Sequence, residues 1–149
     1  MNFKIMEDEI SKLSTPEECE QFAEKCIEYA KSARRKAMEL RASIHGSNSK
    51  VENELLKAIY AYEEILTKKN GRRTRASRTW QMVNRHGIIG AAERAVNRDI
   101  EPMGFRLLVD MGFEELTFES VIVRYPESFK PQIVKQAESK LEELKSLQQ

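Results

Sequence analysis

The fold is decided by residues 15–46, which read TPEECEQFAEKCIEYAKSARRKAMELRASIHG. Thr15 and Pro16 are typical of a helix start, because a hydroxyl can cap the first amides and proline suits the first helical position. The apolar residues that follow are spaced alternately by four and three, as in a coiled-coil seam. They are Cys19, Ala23, Cys26, Ala30, Ala33, Ala37, Leu40 and Ile44. Gly46 commonly ends a helix, so the pattern predicts one long helix from Pro16 to about His45.

A second helix is predicted after a short polar loop. Ser49 and Glu52 form a capping box, and Asn70-Gly71 ends the apolar pattern. The apolar residues between them are Val51, Leu55, Ala58, Tyr62 and Ile65. Because the loop is short, we expect the second helix to run antiparallel to the first and to cover its alanine seam. The expected motif is a long antiparallel helical hairpin over residues 16–70.

The rest of the chain is read as several shorter helices packed on the hairpin. One begins near Trp80 and breaks at Gly87, another opens at Pro102, and the last begins at Pro131. Residues 114–124 are rich in β-branched and aromatic side chains, which also fits a strand, but no second strand is available to pair with it. Helix is preferred there, and strand is left open.

The expected fold is therefore all-α, with one domain over residues 1–149. Its three parts are the helical hairpin (16–70), a basic arm with a helix pair (71–98) and the C-terminal helices (99–149).

Composition predicts a cytoplasmic protein without a membrane partner. Hydrophobic residues make up 40% of the chain and charged residues 33%, and the apolar runs are far shorter than the roughly 20 residues of a membrane span. No signal-peptide pattern is visible at the N-terminus. Cys19 and Cys26 lie seven residues apart on one predicted helix, too far for a disulfide, and are read as reduced core residues.

Positive charge is concentrated in residues 68–98, here called the basic segment. It holds nine lysines and arginines against the single acid Glu93, a net charge of +8, while the remainder holds 16 basic and 23 acidic residues, a net charge of −7. Arginine pairs with phosphate through two hydrogen bonds, and the interleaved hydroxyls of Thr74, Ser77 and Thr79 are further donors. Amides at the start of the Trp80 helix could also hold a phosphate.

The pattern therefore indicates a nucleic-acid-binding arm, with Trp80 as a buried anchor for its helix. The candidate binding residues are Lys68, Lys69, Arg72, Arg73, Arg75, Arg78 and Arg85. Two other readings stay open, namely that the arginines neutralise the chain's own acidic hairpin or that they form a solvated surface. A helix-turn-helix centred on Gly87 matches only in part, because His86 and Glu93 occupy positions that are normally apolar.

Signals for catalysis are weaker. The only histidines are His45 and His86. Both are read as helix ends, and a phosphate contact is left open for His86. The adjacent acid pairs, such as Glu63-Glu64, are read as solvated surfaces. Zinc-site spacing and phosphate-binding glycine loops are missing from the sequence.

We therefore expect a non-catalytic protein without a cofactor or metal, whose arm binds DNA or RNA. The alternative is a protein-interaction module, an inhibitor or accessory subunit, that docks an acidic protein through the same arm. Helical faces could also support a homo-oligomer.

Overall fold

The computed structural model describes residues 2–98 and 102–148. The parts of the predicted ranges at Met1, at residues 99–101 and at Gln149 lie outside the described residues. Within the described residues the protein contains seven α-helices and no strand. They are α1 (Phe3–Ser11), α2 (Pro16–His45), α3 (Lys50–Asn70), α4 (Ser77–Val96), α5 (Pro102–Asp110), α6 (Phe118–Arg124) and α7 (Pro131–Ser146), with 3₁₀ turns at Glu114–Leu116 and Pro126–Ser128. The all-α class is confirmed.

Local capping explains the bounds of the two longest helices. The Glu18 amide donates to Thr15 Oγ1 (3.1 Å) before α2, and the Glu52 amide donates to Ser49 Oγ (3.2 Å) before α3. Gly71 ends α3 with a φ of 67°, a left-handed conformation that glycine adopts without steric cost. These bounds agree with the sequence prediction.

The chain divides into two compact units, Met1–Lys36 and Ala37–Gln149. Unit 1 holds α1, which the sequence analysis did not predict, and the first part of α2. None of its described residues is buried. The expectation of a single domain stays a prediction, and the two units are described separately.

In unit 2, α3 is the central helix. Its predicted seam residues Val51, Leu55, Ala58 and Ile65 are buried, whereas Tyr62 is 37% exposed. Further buried side chains extend around α3: Leu56, Ile59, Ala61 and Glu63. Helices α4, α5 and α6 contact α3, and α7 packs on α6. Unit 2 is thus built around one helix that is buried on several sides.

The predicted seam of α2 is wrong about which face is buried. Leu40 and Ile44 are 51% and 85% exposed, whereas Met38 and Ala42 are fully buried in clusters with residues of α3. Successive residues of an α-helix turn by about 100°, so two residues turn by about 200°. Met38 and Ala42 each precede an exposed seam residue by two positions and therefore lie nearly opposite Leu40 and Ile44 on the helix. The long hairpin packing is not established by these contacts and stays a prediction.

Helix α4 is interrupted at the predicted break. Gly87 has φ 76° and ψ 170°, whereas the residues on either side are helical. A helix-turn-helix uses a turn of three or four residues, and here one non-helical residue separates the two halves. The structure therefore gives no support to the helix-turn-helix reading.

Residues 114–124 form a 3₁₀ turn (Glu114–Leu116) and α6 (Phe118–Arg124) with the extended residue Thr117 between them, and not a strand. Thr117 caps α6 by accepting a hydrogen bond from the Ser120 amide (3.0 Å), and Val121 and Ile122 are fully buried. Burial of these β-branched side chains outweighs their modest preference for strands.

None of the helices in residues 2–98 and 102–148 combines the length and the apolar character that crossing a membrane requires.

Candidate nucleic-acid interface

Residues 72–78, which connect α3 to α4 and include the first two residues of α4, are here called the arginine arm. It is tied to the surface of α3 by a buried carboxylate. Glu63 is 2% exposed, and its Oε2 accepts hydrogen bonds from the Ala76 amide (2.7 Å) and from Trp80 Nε1 (3.0 Å). A buried carboxylate is costly unless its oxygens are hydrogen-bonded. Glu63 therefore fixes the start of α4 against α3.

A second carboxylate on α3 holds two arginines. Glu64 Oε1 accepts from Arg41 Nη1 (2.8 Å) and from Arg73 Nη1 (2.9 Å). Burial alone would raise the pKa of Glu64, but the hydrogen bonds and positive charges of Arg41 and Arg73 outweigh it, so the pKa lies below its ordinary value. Arg73 is thus engaged within the protein.

Thr67 makes a third connection to the arm. Its Oγ1 accepts from the Thr74 amide (3.0 Å), and the Thr74 hydroxyl donates to the Arg72 carbonyl (2.8 Å). Thr67 and Glu63, about one turn apart on α3, therefore hold the backbone of the arm at Thr74 and Ala76.

Trp80 is 8% exposed and lies at the centre of an aromatic cluster. Its ring stacks on His45, with centroids 5.3 Å apart, and meets Tyr60 at 5.6 Å. Arg75 places its Cζ 5.5 Å from the Trp80 ring centroid and its Nε 3.9 Å from Glu63 Oε2. The expected role of Trp80 as a buried anchor is consistent with these contacts, while His45 stacks on a ring rather than only ending a helix.

The electrostatics of this cluster also affect Tyr60. Burial is the main cause of a raised pKa for its hydroxyl, and the negative charge of Glu63 adds to it. Both effects favour the neutral form of the Tyr60 hydroxyl.

The remaining predicted binding residues point away from these contacts. Four of them are exposed and form no ion pair within residues 2–98 and 102–148: Lys68, Arg72, Arg78 and Arg85. Below they are called the outward cations. Lys69 is also exposed but makes an interaction of its own. The seven predicted residues therefore separate into those with contacts inside the protein and the four exposed outward cations.

Two of the outward cations share one face of α4. Arg78 and Arg85 are seven residues apart, about 10 Å along the helix axis, and both precede the break at Gly87. Gln81, which is exposed, lies between them on the same face. The first half of α4 thus exposes the hydrogen-bond donors of Arg78, Gln81 and Arg85 along one face.

Some expected phosphate donors are already used or buried. Thr74 hydrogen-bonds within the arm, and Thr79 is 5% exposed. The Ala76 amide is bound to Glu63, so a carboxylate of the protein itself takes the place that a phosphate was expected to occupy at this helix start. Ser77 remains exposed.

Sequence reasoning missed Glu63 and Glu64, which it read as solvated. The available signal was that Glu63 continues the buried stripe of Leu56 and Ile59 at helical spacing, which places a carboxylate among apolar residues. Such a group requires donors, and the arm supplies them.

The described residues contain no group of three or more His, Cys, Asp or Glu side chains arranged to hold a metal ion. Cys19 and Cys26 are free thiols, the first exposed and the second half-buried, so neither is the core residue that was expected.

Comparison with protein-family models, curated proteins and solved structures finds no match to this chain.

Proposed function

We propose that this protein binds nucleic acid without catalysis, through the outward cations, with Arg73 and Arg75 positioning the arm rather than making the main contacts. The observation that carries the proposal is the division of the arm. Glu63 and Glu64 engage two of its arginines, and the four outward cations keep their charge facing solvent. A surface that only neutralised the chain's own acids would not leave these four cations without an ion pair among residues 2–98 and 102–148.

The internal contacts support binding because they fix the arm before a partner arrives. Ordering a flexible segment on association costs free energy for each immobilised side chain and each backbone residue. Here Glu63 and Thr67 already hold the backbone that follows Arg72 and leads into Arg78, and Glu64 holds the Arg73 side chain. The proposed interface therefore loses less entropy on binding than a disordered basic tail would.

The chemistry of the outward cations fits phosphate better than base edges. Three of them are arginines, whose guanidinium group can bind a phosphate through two hydrogen bonds, and the exposed neighbours Ser77 and Gln81 add neutral donors. Contacts of this kind position a nucleic acid without reading its sequence. We therefore propose little sequence specificity, with DNA and RNA both as ligands, and a cytoplasmic location.

The alternative partner is an acidic protein that docks on the same cations, which would make this chain an inhibitor or accessory subunit. The two partners differ in how binding responds to salt and to competitor polyanions.

The test is a fluorescence-anisotropy titration of the full chain against labelled duplex DNA, single-stranded DNA and RNA of unrelated sequences. The Arg72→Ala/Arg78→Ala/Arg85→Ala variant is expected to weaken binding to all three. Its matched control is Lys130→Ala/Lys135→Ala/Lys145→Ala, which removes the same charge from exposed positions at or near α7 and is expected to change affinity by less than about threefold.

Failure of the parent chain to bind any of the three nucleic acids at micromolar concentration and low salt would remove the proposal and favour the acidic protein partner. Equal losses in the two triple variants would show a general charge effect and would also contradict the assigned site.

A further inference from the structure

Unit 1 has exposed apolar side chains but no buried core. Ile27 and Tyr29 of α2 are 46% and 73% exposed, and no described residue of the unit is buried. Helices in proteins gain most of their stability from packing an apolar face, because isolated helices are only marginally stable in water. This part of α2 therefore presents a face that a partner helix would stabilise.

The spacing of that face indicates a helical partner. Cys19, Ala23, Cys26, Ala30 and Ala33 alternate by four and three, the repeat of helices that wrap around each other. Cys19, Ala23, Ala30 and Ala33 are exposed and Cys26 is half-buried. Because these side chains are small, a second helix could approach closely, and Ile27 and Tyr29 would border the contact.

The charges on α2 identify the partner. Residues 16–28 carry five acids and one lysine, a net charge of −4, whereas residues 29–36 carry four basic residues and no acid, a net charge of +4. An antiparallel second copy would place each acidic half beside a basic half. A parallel copy would place like charges side by side, which destabilises an interface.

We propose that the protein forms an antiparallel homodimer through residues 16–36 of α2, with the two-fold axis beside Glu28. This goes beyond the proposed function and does not depend on it. In this register Cys26 packs against the partner's Ala30 and Ala23 against the partner's Ala33. Ile27 lies beside the partner's Ile27, Tyr29 lies beside the partner's Tyr29, and Glu20 faces the partner's Arg34.

The heptad spacing restricts how the two antiparallel helices can be aligned. Small residues must pair in successive layers, and the positions that border the seam must face their own equivalents across the axis. A shift by one heptad would move Glu20 away from the partner's Arg34 and would separate Ile27 and Tyr29 from their own equivalents in the second copy. The symmetric register satisfies the seam and the charges together.

Sedimentation equilibrium of the full chain tests the association. The parent is expected to show a mass of about twice 17.3 kDa. Tyr29→Glu places two carboxylates opposite each other and is expected to raise the dissociation constant at least about 100-fold. Gln21→Glu makes the same charge change on the opposite face of the helix and is expected to leave the dissociation constant within about threefold of the parent. Trp80 fluorescence, which reports on unit 2, should be unchanged in both variants.

Disulfide cross-linking tests the orientation. In a Cys19→Ser background, Ala30→Cys is expected to give a cross-linked dimer under mild oxidation, because the new thiol lies opposite the partner's Cys26. The background alone should cross-link slowly.

Three results would each overturn the proposal. They are a parent that stays monomeric at high micromolar concentration, a dimer unaffected by Tyr29→Glu, and a background that cross-links through Cys26 as fast as the Ala30→Cys variant, as a parallel pair would.

Discussion

Removing the Glu63 carboxylate is expected to be the most damaging single change at the arm. Oε2 of Glu63 is the acceptor for both the Ala76 amide and Trp80 Nε1, at 2.7 and 3.0 Å. Glu63→Ala leaves these two donors without their acceptor in a buried site. Each unsatisfied buried donor costs about 1–3 kcal/mol, so the variant should lose about 2–6 kcal/mol of the free energy of unfolding.

Glu63→Gln separates the loss of an acceptor from the loss of charge. The amide oxygen can still accept from the Ala76 amide or Trp80 Nε1, but the bonds are no longer charge-assisted and the new NH₂ group lies among donors. The stability of this variant should fall between those of Glu63→Ala and the parent.

The assay is urea denaturation followed by Trp80 fluorescence and circular dichroism, with Glu138→Ala as the control. Glu138 is exposed on α7, so its removal should change stability by less than about 0.5 kcal/mol. If Glu63→Ala unfolds at the same urea concentration as Glu138→Ala, the carboxylate does not hold the arm and the reasoning fails.

Two further predictions concern stability. The pKa of Glu64 is lowered from its ordinary value of 4.5 in the folded protein. Its carboxylate therefore contributes stability above about pH 4.5, and this contribution is lost as pH falls through the folded pKa. In urea titrations, Glu64→Gln should lose less stability than the parent between neutral and acidic pH. Met38→Ala should cost about 2–5 kcal/mol, because Met38 is fully buried, whereas Ile44→Ala should cost less than about 0.5 kcal/mol. If Ile44→Ala lowered the melting temperature more than Met38→Ala, the buried face of α2 would be the seam predicted from sequence.

The helix bounds could be predicted because their signals are local. Thr15, Ser49 and Gly71 act on amides or carbonyls within a few residues of themselves, and the structure places helix ends at each of them. The break at Gly87 was predictable for the same reason. Helix α1 was missed, although the Asn2 side chain accepts a hydrogen bond from the Lys4 amide (3.2 Å) and Phe3, Met6 and Ile10 recur at helical spacing.

Which face of α2 is buried could not be predicted from its spacing. The seam through Leu40 and the face through Met38 are both apolar, and the choice between them depends on contacts with α3 that are distant in sequence. Periodicity identifies a helix that pairs, but it does not identify the partner.

The candidate site was predicted in composition but not in arrangement. Counting charge located the basic segment, whereas the division of its arginines depends on Glu63 and Glu64, and these act across a turn of the chain. Sequence spacing gave no sign that Arg73 would be held while Arg72 and Arg78 stay outward.

The measurement that tests the central claim most directly is the salt dependence of nucleic-acid affinity. Each phosphate contact on duplex DNA contributes a slope of about −0.9 to the plot of log affinity against log salt. Four outward cations predict a slope of about −3.6 for the parent, and Arg72→Ala/Arg78→Ala/Arg85→Ala should reduce it to about −1, with an unchanged melting temperature. Equal slopes for the parent and the triple variant would contradict the assignment of the outward cations as the phosphate-binding residues.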